Sequence, residues 1–431
     1  MSSTTYGVAL LGFGTVGRGV YDLLNSKASP IKQKHGADFQ VRHILVRNPG
    51  NPRYRDVPRD LFAEDIKTII GSGGVDIVIE VMGGIEPARS HILAALKSGK
   101  HVITANKSLL AECGGEIARR AKEAGLYLGY SAAITGAHQL ADSIANSVMV
   151  RSLRGVFNGT SNYILTRMDE ERLDFDAVLR QAQEAGYAEA DPSADVDGID
   201  TRNKLAILTN LAFGIFPAPD QIRTSGIRNV HRKDIEFAAG LGYKIKLVGE
   251  SLLNADERIE AQVSACLVPA DGLFARARGI NNAIEVDDMF RGLQGMIAEG
   301  AGANPTAMAI YTDLVNLIKG KPLLWPVVKD SERRIASQHK LPRRYYVRME
   351  VKNCPGTLGE ISRTLGRHGI NIGSVHQPEA SSHTAAQIVL TCGPAARGTV
   401  EKALRDVARL DEVIGEPFLL PILQVPDPSE A

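Results

Sequence analysis

Residues 6–17 read Tyr6-Gly7-Val8-Ala9-Leu10-Leu11-Gly12-Phe13-Gly14-Thr15-Val16-Gly17. The short run Tyr6–Leu11 predicts a fully buried strand. Gly12, Gly14 and Gly17 then fall in the spacing G-x-G-x-x-G, and Val20, Leu23 and Leu24 follow in a helix-like stretch. Strand, glycine turn and helix in that order make a dinucleotide-binding turn. The first glycine allows the tight turn, the second lets a pyrophosphate approach the backbone, and the third packs helix on strand. The helix N-terminus offers its free N–H groups to the anion. Gly12, Phe13, Gly14, Thr15, Val16 and Gly17 are therefore the expected cofactor contacts.

Working outward, strand and helix signals keep alternating. Phe39–Arg47, Val75–Val81, Lys100–Thr104 and Leu126–Gly129 read as strands, and Pro87–Ser98 and Gly115–Ala124 as helices. This rhythm predicts an α/β fold opening with a Rossmann-like, doubly wound parallel sheet over residues 1–133. At the end of the second strand an acid would bind the ribose 2′-hydroxyl. Here Arg47-Asn48 stands, followed by Arg53 and Arg55, which favours NADP over NAD, with Arg47 an expected contact. Thr104-Ala105-Asn106-Lys107 lies at the carboxyl end of a predicted parallel strand, where ligands sit in such sheets. Thr104 and Lys107 are counted with the cofactor contacts, Lys107 on the nicotinamide side.

After residue 133 the rhythm changes. Helical patterns cover Gly136–Met149, Asp174–Ala185, Thr201–Phe213 and Thr306–Leu317, with strand-like stretches at Leu153–Phe157 and Ile259–Pro269. These predict an α+β catalytic and oligomerisation domain over 134–320 built on an open antiparallel sheet. Its last helix, about 303–318, is a candidate to pack back on the first domain. The Pro-, Lys- and Arg-rich stretch 321–344 reads as a linker. Residues 345–425 then give strand, helix, strand, strand, helix, strand, the ferredoxin-like split unit.

Fifty basic against 49 acidic residues leave a net charge of +1, so no global field gathers nucleic acid or an anionic membrane. No apolar run approaches a membrane span, and four scattered cysteines without a CxxC fit a reducing cytoplasm.

Residues 186–200, GYAEADPSADVDGID, hold five acids and no Lys or Arg. Gly186, Pro192 and Gly198 fix the loop's shape, and Gly186 is counted with the cofactor contacts. Asp200 is expected at the N-cap of the next helix, with Lys204 four residues on at the border of an apolar stripe. A positive helix end and partial desolvation would both lower the Lys204 pKa toward the range useful for proton transfer, while a surface Asp–Lys ion pair is the plainer alternative. Asn158–Tyr163 is either a donor cluster facing a ligand or a capped helix start. Residues 300–306, GAGANPT, form a second glycine-rich loop before a helix, with Gly302 an expected cofactor contact.

Taken together, GFGTVG, TANK at 104–107, NGTSNYIL at 158–165, the 186–200 segment with Lys204, and GAGANPT at 300–306 resemble the homoserine dehydrogenase family along residues 5–320. The last 80 residues resemble an ACT domain, an amino-acid-sensing module. The resemblance implies NAD(P)-dependent interconversion of L-homoserine and L-aspartate 4-semialdehyde, in the biosynthesis of threonine and methionine. It implies substrate contacts at Glu189, Asp200 and Asp195, Lys204 as proton donor, and Lys107 beside substrate and nicotinamide. It also implies a Na+ or K+ on the backbone carbonyls of Ile134, Gly136 and His138, a threonine effector at the ACT module, and a homodimer or homotetramer. Residues 131–139 read SAAITGAHQ where the family has E-A-x-V-x-G-G-I-P. That departure keeps open a dehydrogenase of another small amino acid; a non-catalytic ACT-type sensor is the alternative from another class.

Overall fold

The Tyr6–Leu11 run lies in strand β1 (Thr4–Leu11), whose last five residues are buried. The structure is a computed structural model. It describes every residue except 1–2, 135–136, 301, 322–324, 326–333, 337–339, 379–383 and 424–431, with the side chains of residues 138 and 142 also undescribed. The chain divides into two units. The first comprises residues 1–150, 203–220 and 298–332, and the second residues 151–202, 221–297 and 333–431.

In the first unit β2 (Ala37–Leu45), β3 (Phe62–Ala63), β4 (Ile77–Glu80), β5 (His101–Thr104) and β6 (Leu128–Gly129) join β1 in the order β3-β2-β1-β4-β5-β6. All pairings are parallel. The order turns back between β1 and β4, the switch point at which such sheets bind dinucleotides. The Thr15–Ser26 helix covers the sheet with Val20 and Leu24. Ala307, Ala309, Ile310 and Leu314 of the Ala303–Ile318 helix enter the same core. Gly19 has no side chain to keep the two helices apart, and a Cβ there would come within 3.3 Å of Ala303 Cβ. Trp325 stacks on Phe216 with ring centroids 5.5 Å apart and meets Tyr130 edge-on.

The second unit carries β7 (Val150–Val156), β8 (Arg223–Thr224), β9 (Tyr243–Leu253), β10 (Ile259–Pro269), β11 (Asn281–Asp288), β12 (Gly292–Glu299), β13 (Arg343–Lys352), β14 (Ile372–His376), β15 (Ala385–Ala395) and β16 (Val413–Ile422). Among the described residues they form one sheet, β12-β11-β7-β9-β10-β16-β13-β15-β14, with β8 beside β10. The C-terminal part has the expected strand-helix alternation, its helices at Thr357–Arg367 and Arg397–Val407. Its antiparallel strands stand in the order β16-β13-β15-β14, the ferredoxin-like arrangement.

The sheet of the second unit departs from the expected open antiparallel one. It is mixed, because β8 and β16 both run parallel to β10. The middle and C-terminal sheets are also continuous, with Leu267 of β10 in register with Ile422 and Leu423 N donating to Leu267 O at 2.8 Å. The pairing occupies main-chain groups that would otherwise stand open on a strand edge. Buried charges reinforce this join. Arg343 of β13 pairs with Glu250 of β9, which also accepts from Gln262 Nε2 at 2.6 Å. Asp234 accepts from the Tyr346 hydroxyl at 2.8 Å and Arg348 Nε at 2.7 Å. Within 321–344, Ile259 N donates to Arg334 O and Ala336 N to Ile259 O, so part of that stretch is bound to the edge of β10.

Candidate active site

The glycine turn shows why each glycine stands where it does. Gly12 has φ +103°, and a Cβ on it would lie 2.9 Å from the Val81 carbonyl oxygen. A Cβ on Gly17 would lie 2.3 Å from the Gly12 carbonyl oxygen, so a side chain there would push the helix off the strand. Gly14 faces open space and is the N-cap of the Thr15–Ser26 helix. An anion can therefore approach the backbone at the helix end whose N–H groups are free. Phe13 packs edge-on against Tyr21, Tyr54 and Phe62. A cavity of about 240 Å³ opens beside it, lined by Phe13, Gly14, Thr15, Arg18, Asn51, Arg53 and Tyr54. Arg18 is tied to Asp22 and Asp56. Arg53 is exposed at the cavity, and Arg47 is exposed two residues past β2 without lining it.

At the carboxyl ends of β4 and β5, Glu80 is in register with Thr104 and fully buried. Its carboxylate accepts from the Thr104 hydroxyl at 2.6 Å, Met82 N at 2.8 Å and Asn106 Nδ2 at 3.4 Å. Burial pushes its pKa above the ordinary carboxylate value, against those hydrogen bonds. Asn106 caps the Lys107–Glu123 helix through Leu109 N and donates to the Gly84 carbonyl at 2.6 Å. Lys107 is thus the first residue of a helix whose start is fixed from three sides. The Thr104 hydroxyl is engaged inside the protein. Sequence reasoning missed Glu80, although an acid ending the apolar run Ile77–Ile79 was a usable signal.

Lys204 lies in the Ile199–Phe213 helix and is 5% exposed. Two expectations are corrected here. Asp200 is inside the first turn instead of at the N-cap, since the helix begins at Ile199, directly after Gly198 at φ +83°. Lys204 is consequently the sixth residue of the helix, past the first turn, where the helix dipole has faded. It is buried in the same stretch of helix as Leu205, Ile207 and Leu208, which are fully buried. Lys204 is therefore an interior residue rather than a surface one. Asn203 Nδ2 donates to Ser108 Oγ at 3.5 Å, so within the first unit the chain neighbours of Lys204 and Lys107 meet.

In the second unit Asn158 Nδ2 donates to Asp195 Oδ1 at 2.7 Å and to Asp200 Oδ2 at 3.0 Å. The acidic loop is folded around a short helix, Ser193–Val196, and Arg228 clasps Asp197 and Ser193. Ser193 N and Oγ hold the Asp191 carboxylate at 3.1 and 2.6 Å and keep its pKa below the usual range. Glu189 is exposed, its carbonyl accepting from Gln183 Nε2 at 3.0 Å. Gly186, at φ +77°, is exposed at the loop's start. Thus Asp195 and Asp200 share one amide, and Asp200 and Lys204 share one helix at the spacing that puts side chains on one face. Asn158–Tyr163 is a capped helix start, and Asn158 also binds the loop's acids.

Of the carbonyls expected to ligate a cation, Ile134 O accepts from Ala137 N at 2.9 Å. Gly136 lies outside the described residues, as does the His138 side chain. Ser131, where the family pattern has an acid, donates N–H and O–H to the buried Asp313 at 2.9 and 2.6 Å. Gly302, at φ +120°, is the N-cap of the Ala303–Ile318 helix.

Comparison with known proteins fits this geometry. Residues 12–131 match the family model described as homoserine dehydrogenase, NAD binding domain, and residues 137–315 match that of homoserine dehydrogenase. A homoserine dehydrogenase of Synechocystis is 35% identical over 97% of this chain and 100% of its own length. The chain belongs to the homoserine dehydrogenase family. A Mycobacterium tuberculosis homoserine dehydrogenase is 36% identical over 95% of this chain and 96% of its own. The crystal structure of a homoserine dehydrogenase from Thiobacillus denitrificans superposes with a TM-score of 0.90 at 32% identity, covering 98% of this chain and 99% of that one. As a homoserine dehydrogenase, the chain is an NAD(P)-dependent oxidoreductase. This membership supersedes the readings as another amino-acid dehydrogenase or as a non-catalytic sensor. Among the described residues no helix is long and apolar enough to cross a membrane.

Proposed function

We propose that Lys204 is the proton-transfer residue of homoserine oxidation, with Lys107 beside it, and that Glu189, Asp195 and Asp200 bind the substrate. The observation that carries this reading is a buried lysine one helical turn beyond an acid that is itself linked to a second acid. The carboxylates match a substrate ammonium. A buried amine matches the alcohol: it takes the hydroxyl proton in oxidation and returns it to the developing alkoxide in reduction. The open backbone at Gly14 and its neighbouring cavity fit a dinucleotide held by residues 12–17, with Gly186 and Gly302 as further contacts; Thr104, fully buried with its hydroxyl on Glu80, shapes the strand end instead of touching the cofactor. When bound, the nicotinamide supplies the hydride acceptor.

The cofactor is NADP in preference to NAD. Arg53 at the cavity supports this more directly than Arg47. The ferredoxin-like arrangement of residues 343–422 supports an ACT domain with threonine as effector. We further propose a cytoplasmic homodimer or homotetramer, and a Na+ or K+ held by the carbonyls of residues 134, 136 and 138. Initial rates with L-homoserine against both cofactors, with and without K+, Na+ and threonine, test these readings together. NADPH formation should exceed NADH formation at equal cofactor, and Arg53→Ala should raise KM for NADP+ while leaving KM for NAD+ unchanged. Equal use of both cofactors by the unaltered protein contradicts the preference.

A further inference from the structure

Asn158 sits 5% exposed at the start of the Gly159–Glu171 helix, its φ and ψ of −123° and 115° those of an N-cap. Its Oδ1 accepts from Ser161 N at 2.8 Å. That bond decides which way the amide faces, because an amide has one acceptor end and one donor end. With Oδ1 committed to the helix, Nδ2 is directed at Asp195 Oδ1 and Asp200 Oδ2, at 2.7 and 3.0 Å. The Ser161 hydroxyl also donates to the Asp195 main-chain carbonyl at 2.7 Å, so one turn of helix holds this residue by side chain and backbone. Gly159 lets the turn approach its neighbour: a Cβ there would stand 2.8 Å from the Ile280 carbonyl oxygen.

Two carboxylates bonded to one nitrogen turn their acceptor oxygens toward a common space, an arrangement that suits a cationic hydrogen-bond donor. We propose that Asn158 is a positioning residue for the substrate, whose helix-locked amide gathers Asp195 and Asp200 into one paired site for the substrate ammonium. The proposal rests on the reading that these two acids bind the ammonium. Asn158 neither touches the reacting carbon nor moves a proton. Its part is to remove the freedom of two side chains before the substrate arrives, so that binding does not have to order them.

Asn158→Ser and Asn158→Asp both preserve a good N-cap, so each separates the cap from the clamp. Ser offers one shorter donor where the amide offers two; Asp turns an anionic oxygen toward two carboxylates. In the full-length protein Asn158→Ser should keep a melting temperature close to that of the unaltered chain, while Asn158→Asp, which adds a third carboxylate at a buried position, should lower it without unfolding the protein at assay temperature. KM for homoserine should rise about tenfold or more in Asn158→Ser and further in Asn158→Asp. KM for NADP+ should stay unchanged in both. In Asn158→Asp the acid limb of kcat/KM for homoserine should move to higher pH, since three carboxylates then compete to remain charged. A folded Asn158→Asp enzyme with unaltered KM for homoserine and an unaltered pH profile overturns the proposal. Asp195→Asn and Asp200→Asn separate the two levels of the argument. If they raise KM for homoserine and the Asn158 variants do not, positioning alone fails; if they leave KM unchanged, the ammonium reading fails and takes the proposal with it.

Discussion

Lys246 lies 4% exposed on β9, its ammonium donating to Asn162 Oδ1 at 2.7 Å and the Ala277 carbonyl at 2.8 Å. Burial pulls its pKa from 10.5 down to about 8. Between those values the unfolded chain binds more protons than the folded one, so this residue's contribution to stability rises with pH across that window. Below pH 8 its full penalty is present. Relative to Lys246→Met, the unaltered protein should therefore gain about 1 kcal/mol or more in urea unfolding between pH 8 and pH 10. Parallel pH profiles for the two proteins contradict the assignment. Lys246 was not read from sequence, because its burial comes from the helix and loop that cover β9. Gly12, Gly14, Gly17, Lys107 and Lys204 were legible because a local spacing carries each. The Ser131–Asp313 pair joins positions 182 residues apart, and no local pattern encodes it.

Elements were legible where their apolar positions are periodic. Strand Ile259–Pro269 has the bounds that its sequence implies, and Asp174–Ala185 differs from the observed Phe175–Glu184 helix by one residue at each end. The Ala28–His35 helix escaped notice because Ile31 is its one buried residue, which leaves no stripe to read. The start of the Ile199–Phe213 helix was misplaced because the glycine turn at 198 leads straight into it, so an acid that looks like a cap is already helical. Continuity of β10 with β16 was invisible, since each strand alone satisfies a different expected sheet. The buried Glu250–Arg343 pair between β9 and β13 shows what that join costs to break. Burial raises the Glu250 pKa, but Arg343 and Arg154 outweigh it and hold the carboxyl below its ordinary value. Arg343→Met leaves a buried carboxylate without its closest cation and should destabilise the second unit by about 3–5 kcal/mol in denaturant unfolding at pH 7. A loss under about 1 kcal/mol contradicts a structural role for the pair.

At the scale of the molecule, the chain couples a nucleotide-binding sheet, ordered β3-β2-β1-β4-β5-β6, to a second sheet that runs on into its C-terminal part. The helix Ile199–Phe213 carries both Asp200, proposed for the substrate ammonium, and Lys204, proposed for its hydroxyl proton. Sequence spacing put those residues four apart; folding added the burial of the lysine and the amide that ties Asp200 to Asp195. Steady-state homoserine oxidation by Lys204→Met, with NADPH affinity measured by fluorescence titration on the same preparation, tests the central claim most directly. The account predicts that kcat falls about 10²–10⁴-fold while NADPH affinity is unchanged. A folded variant that binds NADPH and turns over within a few-fold of the unaltered enzyme would contradict it.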